Sequence, residues 1–170
     1  MQNLNPFIHN YPDFPKKGIL FKDLMPILTN PVIFSELIEK MSGSSIIESA
    51  DALVSIEARG FIFGSAIALK TSKPMILARK PGKLPGELES SNYSLEYGNN
   101  SLSIQKSAVK NFQKFAIIDD LLATGGTVQC VEQILKSLKK EITGISVVVE
   151  LKDLNARQKI NSNISSQIIF

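Results

Sequence analysis

The pattern of apolar and polar positions divides most of the chain into short apolar runs and helical stripes. Continuous apolar runs predict buried strands at Ala52–Ile56 and at residues 74–78, 115–118 and 145–151, with a short last strand near the end. Apolar residues at helical spacing predict helices at about residues 31–41, 61–70 and 128–138. Because strands alternate with helices, we expect an α/β fold with a mostly parallel, twisted sheet flanked by helices.

Two stretches interrupt this alternation. Three prolines and a glycine within residues 10–28 exclude a long regular element, although the residues between them are apolar. We interpret this stretch as an N-terminal segment that either wraps the core or covers a pocket. Residues 92–105 alternate polar and apolar positions around Gly98-Asn99-Asn100, which predicts a β-hairpin with its turn there. No helical pattern precedes this hairpin, so we interpret it as an inserted flap over a site.

Candidate chemistry is concentrated in residues 115–130, which read FAIIDDLLATGGTVQC. The predicted strand is followed by Asp119 and Asp120, then by the turn Ala123-Thr124-Gly125-Gly126-Thr127, and then by a helical pattern. A glycine turn that opens a helix offers backbone N–H groups to an anion. Two carboxylates suit hydroxyl groups rather than phosphate, so the run as a whole favours a ribose 5-phosphate. The alternative is an ordinary strand-turn-helix unit with polar caps.

Two further loops follow predicted strands. Glu57-Ala58-Arg59-Gly60 comes directly after the first strand, and three cations, Arg79, Lys80 and Lys83, follow the second. Ligand sites in open α/β sheets lie at the carboxyl ends of strands, so both loops are candidates for anion binding. The alternatives are a surface ion pair for Arg59 and a solvated charge run for the basic loop.

Composition narrows the class of protein. The 170 residues carry a net charge of +3, without a block of Lys and Arg that would favour nucleic acid. The sequence shows neither a secretory signal pattern nor an apolar run long enough for a bilayer. One cysteine, Cys130, excludes an internal disulfide and suits a cytoplasmic location, and no Cys/His cluster predicts a metal site in the protein. We expect one domain over residues 1–170.

The run IIDDLLATGGT resembles the phosphoribosyl-diphosphate (PRPP) motif of the type I phosphoribosyltransferases, in the form typical of members that act on adenine. The resemblance extends from Pro12 to about Leu151 and includes EARGF and RKPGKLPGE. It implies that Asp119 and Asp120 hold the ribose and that residues 123–127 bind the 5-phosphate. It implies diphosphate binding by Glu57, Ala58, Arg59, Lys80 and Lys83. In this family a cis peptide bond falls at the position between Glu57 and Ala58.

The same resemblance implies functions for the two stretches that interrupt the alternation of strands and helices. DFPKKGILFKD is similar to the adenine-binding hood of the family, although Lys17 stands where proline is common. The resemblance implies an adenine site formed by Leu20, Phe21, Lys22 and, on the second face of the base, Leu151. It implies that SLEYG belongs to a flexible lid over about residues 80–106, in which Glu96 is the general acid and base.

The implied reaction joins adenine to PRPP, giving AMP and diphosphate. Magnesium would be bound mainly through PRPP and water, and the family suggests a homodimer without nucleic-acid or membrane partners. Two alternatives remain at this stage. A related enzyme would keep the PRPP residues and act on another base, whereas a regulator would bind PRPP or a nucleotide without catalysis.

Overall fold

A computed structural model of the chain describes the backbone of residues 3–95 and 98–170 and the side chains of residues 3–92 and 101–170. The chain divides into two compact units, residues 1–40 and 41–170. Each unit is described by itself, and one domain over the whole chain stays a prediction.

The first unit is built on a small antiparallel pair of strands. After a 3₁₀ turn at Asn5–Phe7, β1 (His9–Pro12) pairs with β2 (Leu20–Asp23). The intervening loop is closed by the Asp13 carboxylate, which accepts a hydrogen bond from the Gly18 N–H at 2.7 Å. The prolines therefore limit the regular elements here to four residues each, as their spacing predicts.

A short helix, α1 (Met25–Leu28), is followed by the start of α2 (Pro31–Ser42). The Asn30 carboxamide oxygen accepts hydrogen bonds from the N–H groups of Val32 and Ile33, both at 3.2 Å. The Asn30 side chain therefore caps α2, with Pro31 in the first turn, where its missing N–H costs nothing.

The second unit contains a five-stranded, fully parallel sheet in the order β4-β3-β7-β8-β9. Its helices are α3 (Ser45–Glu48), α4 (Gly60–Thr71), α5 (Lys106–Val109) and α6 (Gly126–Ser137). Its strands are β3 (Ala52–Ile56), β4 (Met75–Ala78), β7 (Lys114–Leu122), β8 (Glu141–Glu150) and β9 (Ile164–Ile169). The predicted α/β class with a parallel sheet is confirmed.

The central strands are apolar along their length because helices cover the sheet. All five residues of β3 are buried, and α4 contacts β3, β4 and β7 while α6 contacts β7 and β8. The predicted inner face of α6 is confirmed, since Val128, Val131, Ile134 and Leu135 are buried. Each such side chain contributes about 1.5–3 kcal/mol through removal from water.

Two strands differ in extent from their predictions. β7 continues from residue 118 through Leu122, so Asp119 and Asp120 lie within the strand and not after it. β8 spans Glu141–Glu150 rather than residues 145–151, because the extended backbone continues through Gly144 in pairing with β7. Pairing with neighbouring strands, which local composition does not reveal, sets both boundaries.

A separate hairpin joins β5 (Leu88–Leu95) to β6 (Gly98–Gln105) in antiparallel register, from Leu88↔Gln105 to Leu95↔Gly98. The prediction of its turn at Gly98-Asn99-Asn100 was wrong, because these residues pair with β5. The hairpin contacts α6, where Ser91 Oγ donates to the Gln133 side chain at 2.6 Å and Cys130 Sγ donates to the Ser91 carbonyl at 3.0 Å. Cys130 is buried, which is typical of a cysteine that packs in the core.

Candidate active site

A cavity of about 390 Å³ opens at the carboxyl ends of β3 and β7. These strands are parallel neighbours, so the loops that follow them meet at one edge of the sheet. The cavity is lined by Glu57, Ala58, Arg59, Asp119, Asp120, Leu121, Ala123, Thr124, Gly125, Gly126 and Thr127. The structure therefore brings together the residues predicted for ribose, for the 5-phosphate and for part of the diphosphate. Lys80 and Lys83 do not line this cavity.

The two carboxylates of β7 are buried beside each other, each residue being 6% exposed. Asp119 Oδ1 accepts a hydrogen bond from the Asp120 N–H at 2.9 Å, and Arg59 Nη2 lies 2.8 Å from Asp120 Oδ2. Burial, reinforced by the neighbouring Asp120 charge, raises the pKa of Asp119 well above its usual range. Burial also raises the pKa of Asp120, and the Arg59 guanidinium opposes that rise. The Arg59 guanidinium therefore offsets only part of the cost of burying these two carboxylates.

Gly60 allows the approach of α4 to these carboxylates. A Cβ atom at this position would lie 2.9 Å from Asp119 Oδ1 and 3.0 Å from the Ile118 carbonyl oxygen. Both distances are shorter than side chains normally tolerate, so only glycine fits without displacing Asp119. Gly60, at the start of α4, therefore shapes the acidic site on β7.

The turn of residues 123–127, the predicted anion-binding turn, contains a left-handed glycine directly before α6. Gly125 adopts φ +85°, a left-handed conformation that glycine accepts without strain, and α6 begins at the next residue. Gly125 has no side chain to cap the helix, and Gly126 and Thr127 line the cavity. The first-turn N–H groups and the positive end of the helix dipole therefore favour an anion at this end of the cavity.

The Glu57 carboxylate contacts the basic loop. It accepts hydrogen bonds from Arg79 Nε at 3.3 Å, from Arg79 Nη2 at 3.2 Å and from the Lys80 N–H at 2.9 Å. Burial alone would raise the pKa of Glu57, but the hydrogen bonds from Arg79 and Lys80 lower it overall. Glu57 therefore joins the loop after β3 to the loop after β4. The expected cis peptide bond between Glu57 and Ala58 is confirmed.

Arg79 is a residue whose importance the sequence interpretation missed. Its Nη1 donates to the Lys83 carbonyl at 3.3 Å, and its guanidinium lies 5.9 Å from the centre of the Phe61 ring. Its backbone exchanges two hydrogen bonds with Ser103 of β6, at 3.0 and 2.8 Å. Arg79 thus connects Glu57, the basic loop and the hairpin. A carboxylate such as Glu57 beside a diphosphate site needs a cation, and that requirement is the signal that could have identified Arg79.

The residues predicted for adenine are only partly placed. Leu151 follows β8 directly, and its N–H donates to the Leu122 carbonyl at 2.9 Å, beside the end of β7. Leu20, Phe21 and Lys22 form part of β2 in the first unit, where Leu20 is half exposed. Glu96 lies outside the described residues. The adenine site and the catalytic role of Glu96 therefore stay predictions.

Within residues 3–95 and 98–170, no group of three His, Cys, Asp or Glu side chains could hold a metal ion. In the same part of the chain, every helix is too short or too polar to cross a bilayer.

Comparison with known proteins agrees with this arrangement. The family described as phosphoribosyl transferase domain matches residues 27–166. An adenine phosphoribosyltransferase of Prochlorococcus marinus (strain MIT 9211) is 61% identical over 167 residues, covering 98% of this chain and 97% of that protein. One of Halothermothrix orenii is 46% identical over 157 residues and covers 92% of each chain.

Solved structures give the same result. The crystal structure of adenine phosphoribosyltransferase from Thermoanaerobacter pseudethanolicus superimposes with a TM-score of 0.92 at 41% identity, covering 98% of both chains. The enzyme from Saccharomyces cerevisiae, solved with an imino-altritol bisphosphate and adenine, gives 0.86 at 36% identity, covering 96% of this chain and 95% of that one. The chain therefore belongs to the phosphoribosyltransferase family, and within it to the adenine phosphoribosyltransferases.

Proposed function

We propose that the chain transfers the 5-phosphoribosyl group of PRPP to adenine, giving AMP and diphosphate in purine salvage. The observation that carries the proposal is the single cavity in which Asp119 and Asp120 lie beside the anion-binding turn. A ribose carrying a 5-phosphate presents hydroxyls for the two carboxylates and an anion for the turn. The relatives that bear this activity in their names match nearly the whole chain.

The PRPP end of the reaction uses the residues that line this cavity. Cleavage at C1 leaves positive charge on the ribose ring, which Asp119 and Asp120 stabilise while they accept from the ribose hydroxyls. The 5-phosphate is bound by the turn formed by Ala123, Thr124, Gly125, Gly126 and Thr127. This remote contact fixes the ribose so that C1 faces the incoming base.

The leaving diphosphate is bound by the loops after β3 and β4. Glu57, Ala58 and Arg59 line the cavity. Lys80 and Lys83 are exposed on the neighbouring loop, which the Glu57 contacts fix in position. Their charges stabilise the negative charge that develops on diphosphate.

Magnesium fits this site as a cofactor that PRPP brings. Two buried carboxylates beside the cavity offer the oxygen ligands that magnesium prefers, but too few to hold it without substrate and water. Asp119 and Asp120 would be the carboxylates available to such an ion. When bound, magnesium neutralises charge on the PRPP oxygens.

The residues proposed to bind adenine are Leu20, Phe21, the Lys22 backbone and Leu151. Glu96 exchanges a proton with N7 of the base while N9 attacks C1. The hairpin then serves as the lid that excludes water from PRPP.

We further propose that the enzyme is a cytoplasmic homodimer. The outer side of α4 exposes apolar residues, with Ile62 39% and Leu69 85% exposed, and a second copy would cover such a stripe. The single buried thiol, Cys130, suits a reducing compartment. Sedimentation of the purified chain tests the dimer.

The decisive experiment measures diphosphate release from PRPP with adenine, hypoxanthine, guanine or xanthine as the second substrate. We expect release with adenine and little with the other bases. Absence of adenine-dependent release would refute the proposal. Glu96→Gln should then lower kcat strongly while PRPP affinity is retained, whereas a regulator that only binds PRPP would be insensitive to this change.

A further inference from the structure

Another buried carboxylate, that of Glu150, lies at the same edge of the sheet as the two aspartates. Glu150 is the last residue of β8 and is 3% exposed. Its two carboxylate oxygens accept hydrogen bonds from Arg157 Nε and Nη2, each at 2.7 Å, and the Ser166 hydroxyl donates to it as well. This fork-to-fork geometry is the strongest form of a side-chain ion pair. Because its oxygens are already occupied, Glu150 is unsuited to binding a substrate.

Arg157 belongs to a segment that packs against the anion-binding turn. It lies in the 3₁₀ turn Ala156–Gln158, between Ala156 and Ile160, which are both buried. A Cβ atom at Gly125 would lie 3.3 Å from Ala156 Cβ and 3.3 Å from Ile160 Cδ1. This segment therefore supports the turn at its left-handed residue.

A second link comes from α6 itself. Gln129, in the first turns of that helix, donates from its side chain to the Lys159 carbonyl at 2.6 Å. The support thus contacts both the turn and the helix that follows it. Arg157 itself lines a different cavity, of about 440 Å³, so its contribution to the site is indirect.

The pair also fixes the end of β8 relative to the end of β7. The Glu150 carbonyl accepts from the Phe170 N–H at 2.9 Å, and the next residue, Leu151, donates to the Leu122 carbonyl at 2.9 Å. Leu122 immediately precedes the anion-binding turn. The Glu150–Arg157 pair is therefore joined to the turn from both of its sides, through Leu122 and through Ala156.

We propose that Glu150 and Arg157 are positioning residues which hold the anion-binding turn in the geometry that grips the 5-phosphate of PRPP. This inference rests on the proposed function, because it assigns the 5-phosphate to that turn. A positioning role predicts a specific kinetic effect, since displacement of a binding group by about an ångström can cost roughly 100-fold.

The test compares Arg157→Met, Glu150→Gln and the double variant. We expect each to raise KM for PRPP by about 10- to 100-fold, with KM for adenine and kcat at saturating PRPP little changed. Arg157→Met leaves the buried Glu150 carboxylate without its cation and should lower Tm, while the double variant should regain much of that loss. Its KM for PRPP should nevertheless stay raised. Arg157→Lys, which keeps the charge and loses the fork, should be intermediate.

Glu141 provides the matched control, because it lies at the opposite end of the same strand. It pairs with Lys114 at 3.9 Å, and both side chains are exposed. Glu141→Gln and Lys114→Met should leave both KM values unchanged. If Arg157→Met and Glu150→Gln lower Tm without changing KM for PRPP, the pair is merely structural and the inference is overturned.

A further variant separates failure of this inference from failure of the proposed function. Thr127→Ala removes a hydroxyl from the anion-binding turn and should raise KM for PRPP. If Thr127→Ala acts and the Glu150 and Arg157 variants do not, the positioning role is refuted and the phosphate site stands. If no variant in the turn affects PRPP, the assignment of the 5-phosphate is itself wrong.

Discussion

Two neighbouring strands of the sheet carry buried carboxylates with opposite properties near their carboxyl ends. Asp119 and Asp120 on β7 have raised pKa values, mainly because burial is incompletely offset by Arg59. Glu150 on β8 is equally buried, but the hydrogen bonds from Arg157 lower its pKa, with Ser166 adding to the effect. Both sites are closed to solvent, but loss of hydration is the strongest influence on the pKa of Asp119, whereas at Glu150 the hydrogen bonds from Arg157 outweigh it.

This difference separates a group reserved for a ligand from a group that organises the protein. A carboxylate that lacks sufficient internal partners costs stability, and the fold retains it only where a bound molecule supplies the missing contacts. A carboxylate with every oxygen occupied gives nothing to a ligand and fixes the elements that it joins. The assignment of function at this edge of the sheet therefore depends on partners more than on burial.

The largest expected effect is the loss of catalysis in Asp119→Asn and Asp120→Asn. Removing either charge from the ribose site should lower kcat by about 10²- to 10³-fold, because charge stabilisation develops only in the transition state. Asp119→Asn should at the same time raise Tm, since it removes an uncompensated buried charge. Steady-state kinetics and thermal unfolding of the same preparations measure both. A fall in Tm on neutralising Asp119 would contradict the comparison.

A smaller loss is expected from Gly60→Ala, for which the same helix provides a control in Gly64→Ala. The added methyl at Gly60 displaces Asp119 and should lower kcat/KM for PRPP by about 100-fold. At Gly64 the methyl would lie 1.7 Å from Ser55 Oγ, within the core. We therefore expect Gly64→Ala to cost about 1–3 kcal/mol of stability while the folded enzyme keeps its kinetic constants. The contrast fails if both variants lose activity in proportion to stability.

The sequence predicts much of the lining of this cavity, because most of the lining residues are close together in the chain. An apolar strand, two aspartates and a glycine turn lie within residues 115–130, and the parallel sheet then brings them to Arg59. Glu150–Arg157 and Glu57–Arg79 are different, because each pair joins side chains through tertiary packing. Neither residue of the first pair was selected from the sequence. In the second pair, Glu57 was predicted to bind diphosphate, whereas Arg79 was noted only as one of the loop cations.

The hairpin illustrates the same limit in the backbone. Gly98 and the two asparagines after it have the composition of a turn, yet they pair with Leu95, Ser94 and Tyr93. Composition locates a hairpin, but the register between its strands decides which residues form the turn. Where structure depends on pairing at a distance, local propensity is overridden.

A still smaller effect is expected from Glu57→Gln, which tests the contact between the two diphosphate loops. The amide can accept hydrogen bonds from Arg79 and Lys80, but without charge. If the weaker contacts cost about 0.5–1.5 kcal/mol of PRPP binding free energy, KM for PRPP should rise by roughly 2- to 12-fold. Glu57→Asp keeps the charge and should restore part of the affinity. Equal KM values for wild type and Glu57→Gln would show that the contact does not position the basic loop.

The smallest expected effect is on the pH dependence of stability, where the two carboxylate sites should act with opposite sign. The pKa of Asp119 is raised above its ordinary value of 3.8, so the folded protein keeps a proton that the unfolded chain has lost. Stability from this group is present at lower pH and is lost as pH rises through the window above 3.8.

The pKa of Glu150 is lowered from 4.5, so its contribution is present above that value and is lost as pH falls through the folded pKa. As pH rises from about 3 to 7, Asp119→Asn should therefore gain free energy of unfolding relative to wild type above pH 3.8, whereas Glu150→Gln should lose it below pH 4.5. Urea unfolding across this range measures both differences. Slopes of the same sign would mean that the partners of these two groups do not distinguish them.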